Sequence, residues 1–279
     1  MCCPATEYLK YIEIKPNGAI LVGRKIVIDG HAKRPVRVIT HVHADHVIEL
    51  DKSIRECREI VATEITLDLL EALNYVDSRL LPLFRAKKRP LNYHECSSYN
   101  DEEVCSVPVD HIPGAMQVSV EMKDKKIRIG YTGDFKLTHK TEIMGDLDVL
   151  IIEATYGHPL YRRPYKNSIN SLLVEFVNEG LSKYKRVYIY AYHGKIQEVM
   201  LTLREQGILA PYIVPGKVYR AVKLLEEKYG FNVGNYYKDV EIQRVKNSGD
   251  GVIVFKHFNS AKYRKLDGSA LHIVLTGRA

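Results

Sequence analysis

Three histidines and one aspartate stand within six residues of the sequence, at His41, His43, Asp45 and His46. They directly follow the short apolar run RVIT, so the sequence predicts a loop that leaves the end of a buried strand. From such a position alternate side chains can be aimed at one point. Imidazole nitrogens together with a carboxylate are ligands that suit zinc. The spacing therefore predicts a metal site, because a purely structural role would not explain three histidines so close together at the end of a strand.

Two later residues are candidate partners for this loop. His111 stands in VDHIPGAM after the strand-like run VCSVPV, and Asp134 stands in YTGDF after the run KIRIG. Taken alone, each residue fits an ordinary turn beside a glycine. Both follow the first cluster in sequence and both stand at the end of an apolar run. This setting predicts that they complete the metal site.

The motifs resemble those of a known family. THVHADH, HIPGA and YTGD resemble, in this order, the ligand motifs of the metallo-β-lactamase fold, and KIVIDG resembles its opening strand, whose aspartate (here Asp29) holds the ligand loop. DVLIIEATYG, which contains Glu153, resembles the first signature of the β-CASP nucleases, and YIYAYHGKIQEVMLTL, GVIVFKH and HIVLTG resemble segments of their cap. That family includes the endonuclease of pre-mRNA 3′ cleavage, bacterial ribonuclease J, their archaeal relatives and the DNA cross-link repair nucleases.

The resemblance implies a catalytic centre with two zinc ions. His41, His43 and His111 would bind the first ion, and Asp45 and His46 would bind the second. Asp134 would bridge the two ions. Asp45 would also orient the attacking water, and Glu153 would be a second catalytic residue that holds a general acid. Together these roles imply hydrolysis of a phosphodiester bond.

The resemblance also implies two further histidines after the cap, one in a Ser-x-His-type segment and one in a His-Gly segment. No residue of the sequence matches either, and the closing strands of the first domain are expected to be missing. We therefore expect a truncated sequence, a second polypeptide that supplies the missing segments, or a weakened relative. The expected partners are nucleic acid and either a second copy of the chain or that complementing polypeptide. Loss of a general acid typically lowers the rate ~10²–10⁴-fold.

The order of elements predicts two α/β domains. Residues 12 to about 155 are dominated by Val- and Ile-rich strands, such as the run AILV at 19–22, with one clear helix near 63–76, for which Thr63 is the expected cap. After residue 156, helices alternate with strands: a helix at about 168–184 with Ser168 as its expected cap, a strand at 212–214, and a helix that ends at Gly230. This alternation predicts a parallel sheet. Together with this order, the family resemblance implies an αββα metallo-β-lactamase sandwich at 1–155 and a Rossmann-like β-CASP cap at 156–279, joined by a linker at 156–166.

Composition sets broad limits. Hydrophobic residues make up 46% of the 279 residues, which excludes a disordered chain, and the net charge of +7 permits a polyanionic partner without requiring one. The five cysteines form no paired CxxC spacing, so we expect no disulfide framework and a cytoplasmic location. The sequence also contains no run of about 18 apolar residues and no signal peptide, so we expect no membrane partner.

Weaker candidates for substrate binding lie outside the metal motifs. His193, Gly194 and Lys195 precede a predicted helix, where backbone amides and a lysine suit a phosphate, although an ordinary strand-to-helix turn is the competing interpretation. The basic runs at 85–89 and 123–128 either contact nucleic acid or form solvated faces. Three tyrosines of the predicted linker are candidates for stacking on bases or for packing the cap: Tyr156, Tyr161 and Tyr165.

The predicted metal site and the family resemblance together imply a zinc-dependent nuclease that acts on RNA. A DNA exonuclease of the cross-link repair type is the first alternative, because HIPGA resembles that branch, whereas Glu153 in its ATYG context and the pair Gln197 and Glu198 resemble the RNA-processing branch. A nucleic-acid-binding subunit with an incomplete site is the second alternative. A thioester or lactam hydrolase is more remote, because those enzymes need no α/β cap.

Overall fold

The computed structural model describes residues 6–155, 157–158, 160, 168–241, 251–261 and 268–275. The chain forms two compact units, residues 1–154 and 155–279. Among the described residues, no helix combines the length and the apolar character needed to cross a bilayer. The tyrosines proposed to stack on bases, at 156, 161 and 165, lie outside the described residues, as does most of the predicted linker.

The first unit contains a six-stranded sheet whose strands follow sequence order. Its first three strands are antiparallel neighbours, and the remaining ones pair in parallel. Its strands are β1 (Ile12–Ile14), β2 (Ala19–Val22), β3 (Ile26–Asp29), β4 (Val36–Val38), β5 (Glu59–Ala62) and β6 (Lys88–Pro90). The predicted strand at 37–40 is thus shorter, because the chain leaves the sheet after Val38 to form the histidine loop.

A second sheet of five strands packs face to face on the first. Its strands are β7 (Cys96–Tyr99), β8 (Glu102–Pro108), β9 (Met116–Met122), β10 (Ile127–Tyr131) and β11 (Val149–Ile151), in the order β11-β10-β9-β8-β7. Only β10 and β11 are parallel. One continuous core joins the two inner faces, with side chains such as Ile28 and Val38 of the first sheet against Val118 and Val120 of the second. Burial of this apolar surface holds the sandwich together.

Within the described part of the first unit there are four α-helices: α1 (Thr6–Leu9), α2 (Leu50–Glu56), α3 (Glu64–Ala72) and α4 (Leu81–Lys87). The predicted cap of α3 is confirmed, because the Thr63 hydroxyl accepts a hydrogen bond from the Thr66 amide at 3.2 Å. Both α2 and α4 were absent from the sequence prediction. With seven residues each, they are too short to form without tertiary packing.

As far as its described residues show, the second unit is a five-stranded parallel sheet with helices packed against it. Along the chain it comprises α5 (Ile169–Tyr184), β12 (Arg186–Ala191), α6 (Lys195–Glu205), β13 (Tyr212–Val214), α7 (Gly216–Tyr229), β14 (Tyr236–Lys238), β15 (Val252–His257) and β16 (Leu271–Val274). The strand order is β14-β13-β15-β12-β16. Ser168 precedes α5 as predicted, but its side chain makes no capping hydrogen bond, so that part of the prediction is wrong.

The mixed α/β fold class predicted from sequence is confirmed, with a two-sheet sandwich in the first unit and a parallel sheet in the second. The expectation about cysteines is wrong at one pair. Cys96 and Cys105 lie directly opposite each other in the β7–β8 pair and form a disulfide with a Cα–Cα distance of 4.1 Å. Because the sequence showed no strand at β7, it could not reveal this register.

Candidate metal centre

The candidate ligands all follow strand ends at one edge of the sandwich. Strands β3 and β4 are parallel, and His41 comes three residues after β4 ends. Both β8 and β10 run antiparallel to β9, so they point the same way, and His111 and Asp134 come three residues after their respective ends. Strand direction therefore brings three distant segments of sequence to one place.

Two glycines permit the turns that carry His111 and Asp134. Gly114 has a φ of +83°, and a Cβ there would lie 2.7 Å from the Thr66 hydroxyl oxygen at the start of α3. Gly133 has a φ of +56°, and a Cβ there would lie 3.2 Å from the Cβ of Thr40. Only glycine combines this backbone conformation with so close an approach. The glycines of HIPGA and YTGD thus seat their loops against the rest of the site.

Four of the predicted residues converge within a few ångströms. His43 Nδ1 lies 3.0 Å from His41 Nε2 and 3.1 Å from His111 Nε2. Asp134 Oδ2 lies 3.6 Å from the same nitrogen of His111 and 3.8 Å from that of His41. One ligand atom from each of the four residues lies within 4.8 Å of all the others. A tetrahedral zinc ion with bonds of about 2.0 Å needs ligand atoms about 3.3 Å apart, which these separations approach.

His46 and Asp45 lie beside this group. His46 Nε2 is 3.3 Å from Asp134 Oδ1, so the two oxygens of Asp134 face different imidazoles. Asp45 Oδ2 is 3.7 Å from the same nitrogen, and the Asp45 side chain is 75% exposed. The structure therefore brings all six candidate ligands to one region, with Asp134 between two sets of donors. Their role as ligands stays a prediction.

The buried carboxylate of Asp29 sets the orientation of His46. It accepts hydrogen bonds from the Thr40 amide at 2.9 Å and from the Thr40 hydroxyl at 2.9 Å, and His46 Nδ1 lies 2.7 Å from its second oxygen. Since a carboxylate only accepts, Nδ1 of His46 must carry the proton. Nε2 of His46 is therefore the nitrogen that faces Asp134. These contacts confirm the prediction that Asp29 holds the ligand loop.

Thr40 orients His41 in the same way. Its hydroxyl proton points to Asp29, so His41 Nδ1, which lies 3.0 Å from the Thr40 oxygen, donates to that oxygen. Nε2 of His41 then presents a lone pair to the cluster. Such contacts behind metal-binding histidines select the ligating nitrogen. The donor set, its spacing and its tautomers therefore fit a divalent cation bound by imidazole.

The histidines of the cluster differ in their pKa values. Burial, together with the neighbouring imidazoles, holds the pKa of His41 well below its usual value and lowers the pKa of His111 to about 4. For His46, burial acts in the same direction, but hydrogen bonds with Asp134 and Asp29 outweigh it and raise its pKa to about 10. Two histidines are thus neutral at pH 7, the form that binds metals. In the metal-free protein a proton on His46 bridges to Asp134, where a cation would take its place.

Sequence reasoning missed Arg37, which lies fully buried in β4 beneath the loop. Its guanidinium donates to the Ser53 hydroxyl at 2.8 Å and to the carbonyl oxygen of His46 at 3.2 Å. Burial lowers the pKa of Arg37 to about 10, so it remains charged at neutral pH. The sequence could have indicated a special role for Arg37, because a basic residue inside an apolar run such as PVRVIT is unusual in a buried strand.

The remaining predicted residues lie elsewhere. Glu153 comes two residues after β11, and its amide donates to the Thr132 hydroxyl at 3.2 Å, which places its backbone near the start of the Asp134 turn. In the second unit, the Gly194 amide donates to the side chain of Gln197 at 2.8 Å, and Lys195 pairs with Glu198 at 3.0 Å. Phosphate binding by His193, Gly194 and Lys195 stays a prediction. It requires the Gly194 amide and the Lys195 ammonium group to leave their present partners and bind the phosphate instead.

Comparison with known proteins identifies the family. Residues 30–179 match the model of the beta-lactamase superfamily domain. An uncharacterized protein in the lig 3' region of Acidianus ambivalens is 41% identical over 140 residues, which are 50% of this chain and 98% of that protein. A probable ribonuclease of Methanocaldococcus jannaschii, RNase MJ4, is 26% identical over 212 residues, or 67% of this chain and 49% of that protein.

Two further similarities extend this picture. The DNA cross-link repair protein SNM1 of Arabidopsis thaliana is 28% identical over 157 residues, 54% of this chain and 30% of that protein. A protein of unknown function from Enterococcus faecalis V583 shares the fold, with a TM-score of 0.55 at 15% identity over 87% of this chain and 70% of that one. The chain thus spans half or less of the relatives that carry nuclease names. Its motifs and the model match make it a member of the beta-lactamase superfamily, with β-CASP nucleases among its homologues.

Proposed function

We propose that this chain is a metal-dependent nuclease of the β-CASP type that hydrolyses phosphodiester bonds in RNA in the cytoplasm. The observation that carries the proposal is the convergence of three imidazoles and Asp134 within 4.8 Å at a strand-end edge. Ribonuclease names among the homologues support RNA as the substrate. Residues 1–155 are proposed as the catalytic domain and 156–279 as the β-CASP cap.

The proposed metals are two zinc ions. His41, His43 and His111 would hold the first. Asp45 and His46 would hold the second ion. Asp134 would be shared by both ions, because the two oxygens of its carboxylate face different imidazoles. Imidazole-rich donor sets favour zinc over magnesium. A pair of zinc ions, when bound, supplies charge that stabilises the phosphoryl oxygens in the transition state and activates water near neutral pH.

The side chains of the chain itself supply orientation and proton handling. Asp29 and Thr40 hold His46 and His41 in the tautomers that present Nε2 to the cluster. The exposed carboxylate of Asp45 is available to accept a hydrogen bond from the attacking water and to orient it. Glu153, near the start of the Asp134 turn, is proposed to position a general acid for the leaving oxygen.

The test is cleavage of an end-labelled single-stranded RNA by purified protein with added zinc. We expect shortened products from the native chain and a loss of at least 100-fold in rate for Asp134→Asn. Asp148→Asn is a matched control, because Asp148 is an exposed carboxylate that directly precedes β11 and accepts a hydrogen bond from the Arg128 amide near the start of β10, whereas Asp134 follows the end of β10. No cleavage by the native chain, or equal rates in all three proteins, would contradict the proposal.

A DNA nuclease is the second candidate, favoured by the similarity to the DNA cross-link repair protein. Digesting RNA and DNA oligonucleotides of the same sequence side by side distinguishes the two. Faster cleavage of RNA supports the first proposal, and faster cleavage of DNA supports the second. Binding of either oligonucleotide without cleavage, by protein that contains no zinc, would instead indicate a binding subunit.

A further inference from the structure

A basic cavity of about 460 Å³ lies in the first unit, away from the candidate metal centre. Four cationic side chains line it, together with two carboxylates and Tyr99: Lys25, Lys33, Arg34 and Arg58, with Glu56 and Glu59. The volume falls within the range of pockets that bind small molecules, roughly 300–1,000 Å³. Size and composition therefore both point to an anionic ligand rather than to an apolar one.

The cavity lies at the opposite edge of the first sheet from the histidine loop. Lys25 directly precedes β3, Val36 begins β4, and Glu59 begins β5, so the cavity is formed by the amino ends of three parallel strands. His41 comes five residues after Val36, and a strand rises about 3.3 Å per residue, which separates the two places by roughly 16 Å. The cavity is therefore a separate place on the same unit.

The two carboxylates of the cavity are engaged with other groups. Glu59 accepts a hydrogen bond from the Tyr99 hydroxyl at 3.0 Å and lies 3.4 Å from Arg89, and Glu56 lies 3.5 Å from His31. These partners hold the carboxylates near the walls. Among the described residues, the charged side-chain groups of the four cations form no ion pair with a carboxylate.

One of these cations has a buried hydrogen-bond donor without an acceptor. The Nε atom of Arg34 is buried and has no hydrogen-bond partner among the described residues. A buried donor without an acceptor costs about 1–3 kcal/mol, so such a group is found where a ligand or water supplies the acceptor. Guanidinium groups match the geometry of phosphate oxygens, with which they form paired hydrogen bonds.

We propose that this cavity binds a phosphate monoester of nucleotide size. The lining charges sum to about +2, from four cations and two carboxylates, and a phosphate monoester carries about −1.5 to −2 at pH 7. The half-buried ring of Tyr99 and the side-chain amide of Asn100, both in the wall, supply a stacking surface and hydrogen bonds for a base. This proposal does not depend on the nuclease function.

The test is calorimetric titration of the native chain with adenosine monophosphate, inorganic phosphate and adenosine, in buffer with EDTA so that no metal is present. We expect one adenosine monophosphate per chain, bound at least tenfold more tightly than inorganic phosphate, and no binding of adenosine. Arg34→Gln and Arg58→Gln should each weaken binding at least tenfold. Arg58 is exposed, so its substitution leaves folding intact even if that of Arg34 does not.

Arg24→Gln is the matched control, since Arg24 is an exposed cation next to Lys25 that does not line the cavity. Its affinity should stay within twofold of the native value. Three results would overturn the proposal: no saturable binding of adenosine monophosphate, equal affinity for inorganic phosphate, or equal losses in Arg24→Gln and Arg58→Gln. A single-stranded oligoribonucleotide that requires Arg58 while adenosine monophosphate does not bind would assign the cavity to nucleic acid instead.

Discussion

Replacing Asp29 by asparagine should weaken one metal site while the fold is retained. The two side chains have the same shape, and asparagine tolerates the left-handed backbone of this position, where φ is 60°. The asparagine oxygen still accepts from the Thr40 amide, but its amide nitrogen then faces Nδ1 of His46, 2.7 Å away in the native protein. Two donors cannot meet, so His46 must accept at Nδ1 and carry its proton on Nε2.

A protonated Nε2 has no lone pair for a cation, so the substitution lowers the metal affinity of the site that contains His46. Substitutions behind metal ligands typically cost 10–100-fold in affinity, or about 1.4–2.7 kcal/mol. Loss of one charged hydrogen bond should also lower the free energy of unfolding of the metal-free protein by about 1.5–3 kcal/mol. The assay is competition for zinc with a chromophoric chelator, which resolves the two sites by affinity.

The native chain should show two zinc affinities, and Asp29→Asn should weaken one of them 10–100-fold while the other changes little. Asp148→Asn removes a carboxylate charge at an exposed position and serves as the control. If both affinities of Asp29→Asn stay within twofold of the native values, the argument that Asp29 selects the ligating nitrogen of His46 is wrong.

Three further predictions concern the groups that support the site and the sandwich. Gly114→Ala should lower the free energy of unfolding by about 1–3 kcal/mol in urea, because the new methyl group meets Thr66 and the backbone is left-handed; no change would contradict this reading of the turn. Glu102→Ala should cost about 1.5–3 kcal/mol in the same assay, since the buried Glu102 carboxylate accepts two backbone amides of the β2–β3 turn, at 2.5 and 2.9 Å. Peptide mapping without reductant should join Cys96 to Cys105, and reduction should lower the stability by ~2–3 kcal/mol; separate peptides would refute the bridge.

The sequence allowed much of the fold to be predicted where its signals were local. The strand at 19–22 and the strand at 212–214 were predicted with the boundaries that the structure has. Their residues form apolar runs between turn residues, which are readable without tertiary context. The same holds for α7, which ends as predicted at Gly230 in a left-handed conformation, where φ is 71°.

Features that depend on tertiary contacts could not be predicted. The strand CSSY at 96–99 has no apolar alternation, and its pairing with β8 becomes visible only in three dimensions. The disulfide follows from that register, so it was missed as well. Helices α2 and α4 are short and gain their stability from packing against β5 and against each other.

The candidate site could be predicted because its ligands stand at strand ends in ordered motifs, and strand direction then brings His111 and Asp134 to the histidine loop. The supporting contacts were harder to foresee. Asp29 was identified through the family resemblance. The tautomers of His41 and His46 depend on hydrogen bonds of Thr40 and Asp29 that only coordinates reveal.

The central claim is that six side chains of the first unit bind two divalent cations, and elemental analysis after dialysis tests it most directly. The native chain, loaded with zinc and dialysed against metal-free buffer, should retain two zinc ions per chain, and Asp134→Asn should retain fewer than one. Zinc content near zero in the native chain, or the same content in native protein and Asp134→Asn, would contradict the account.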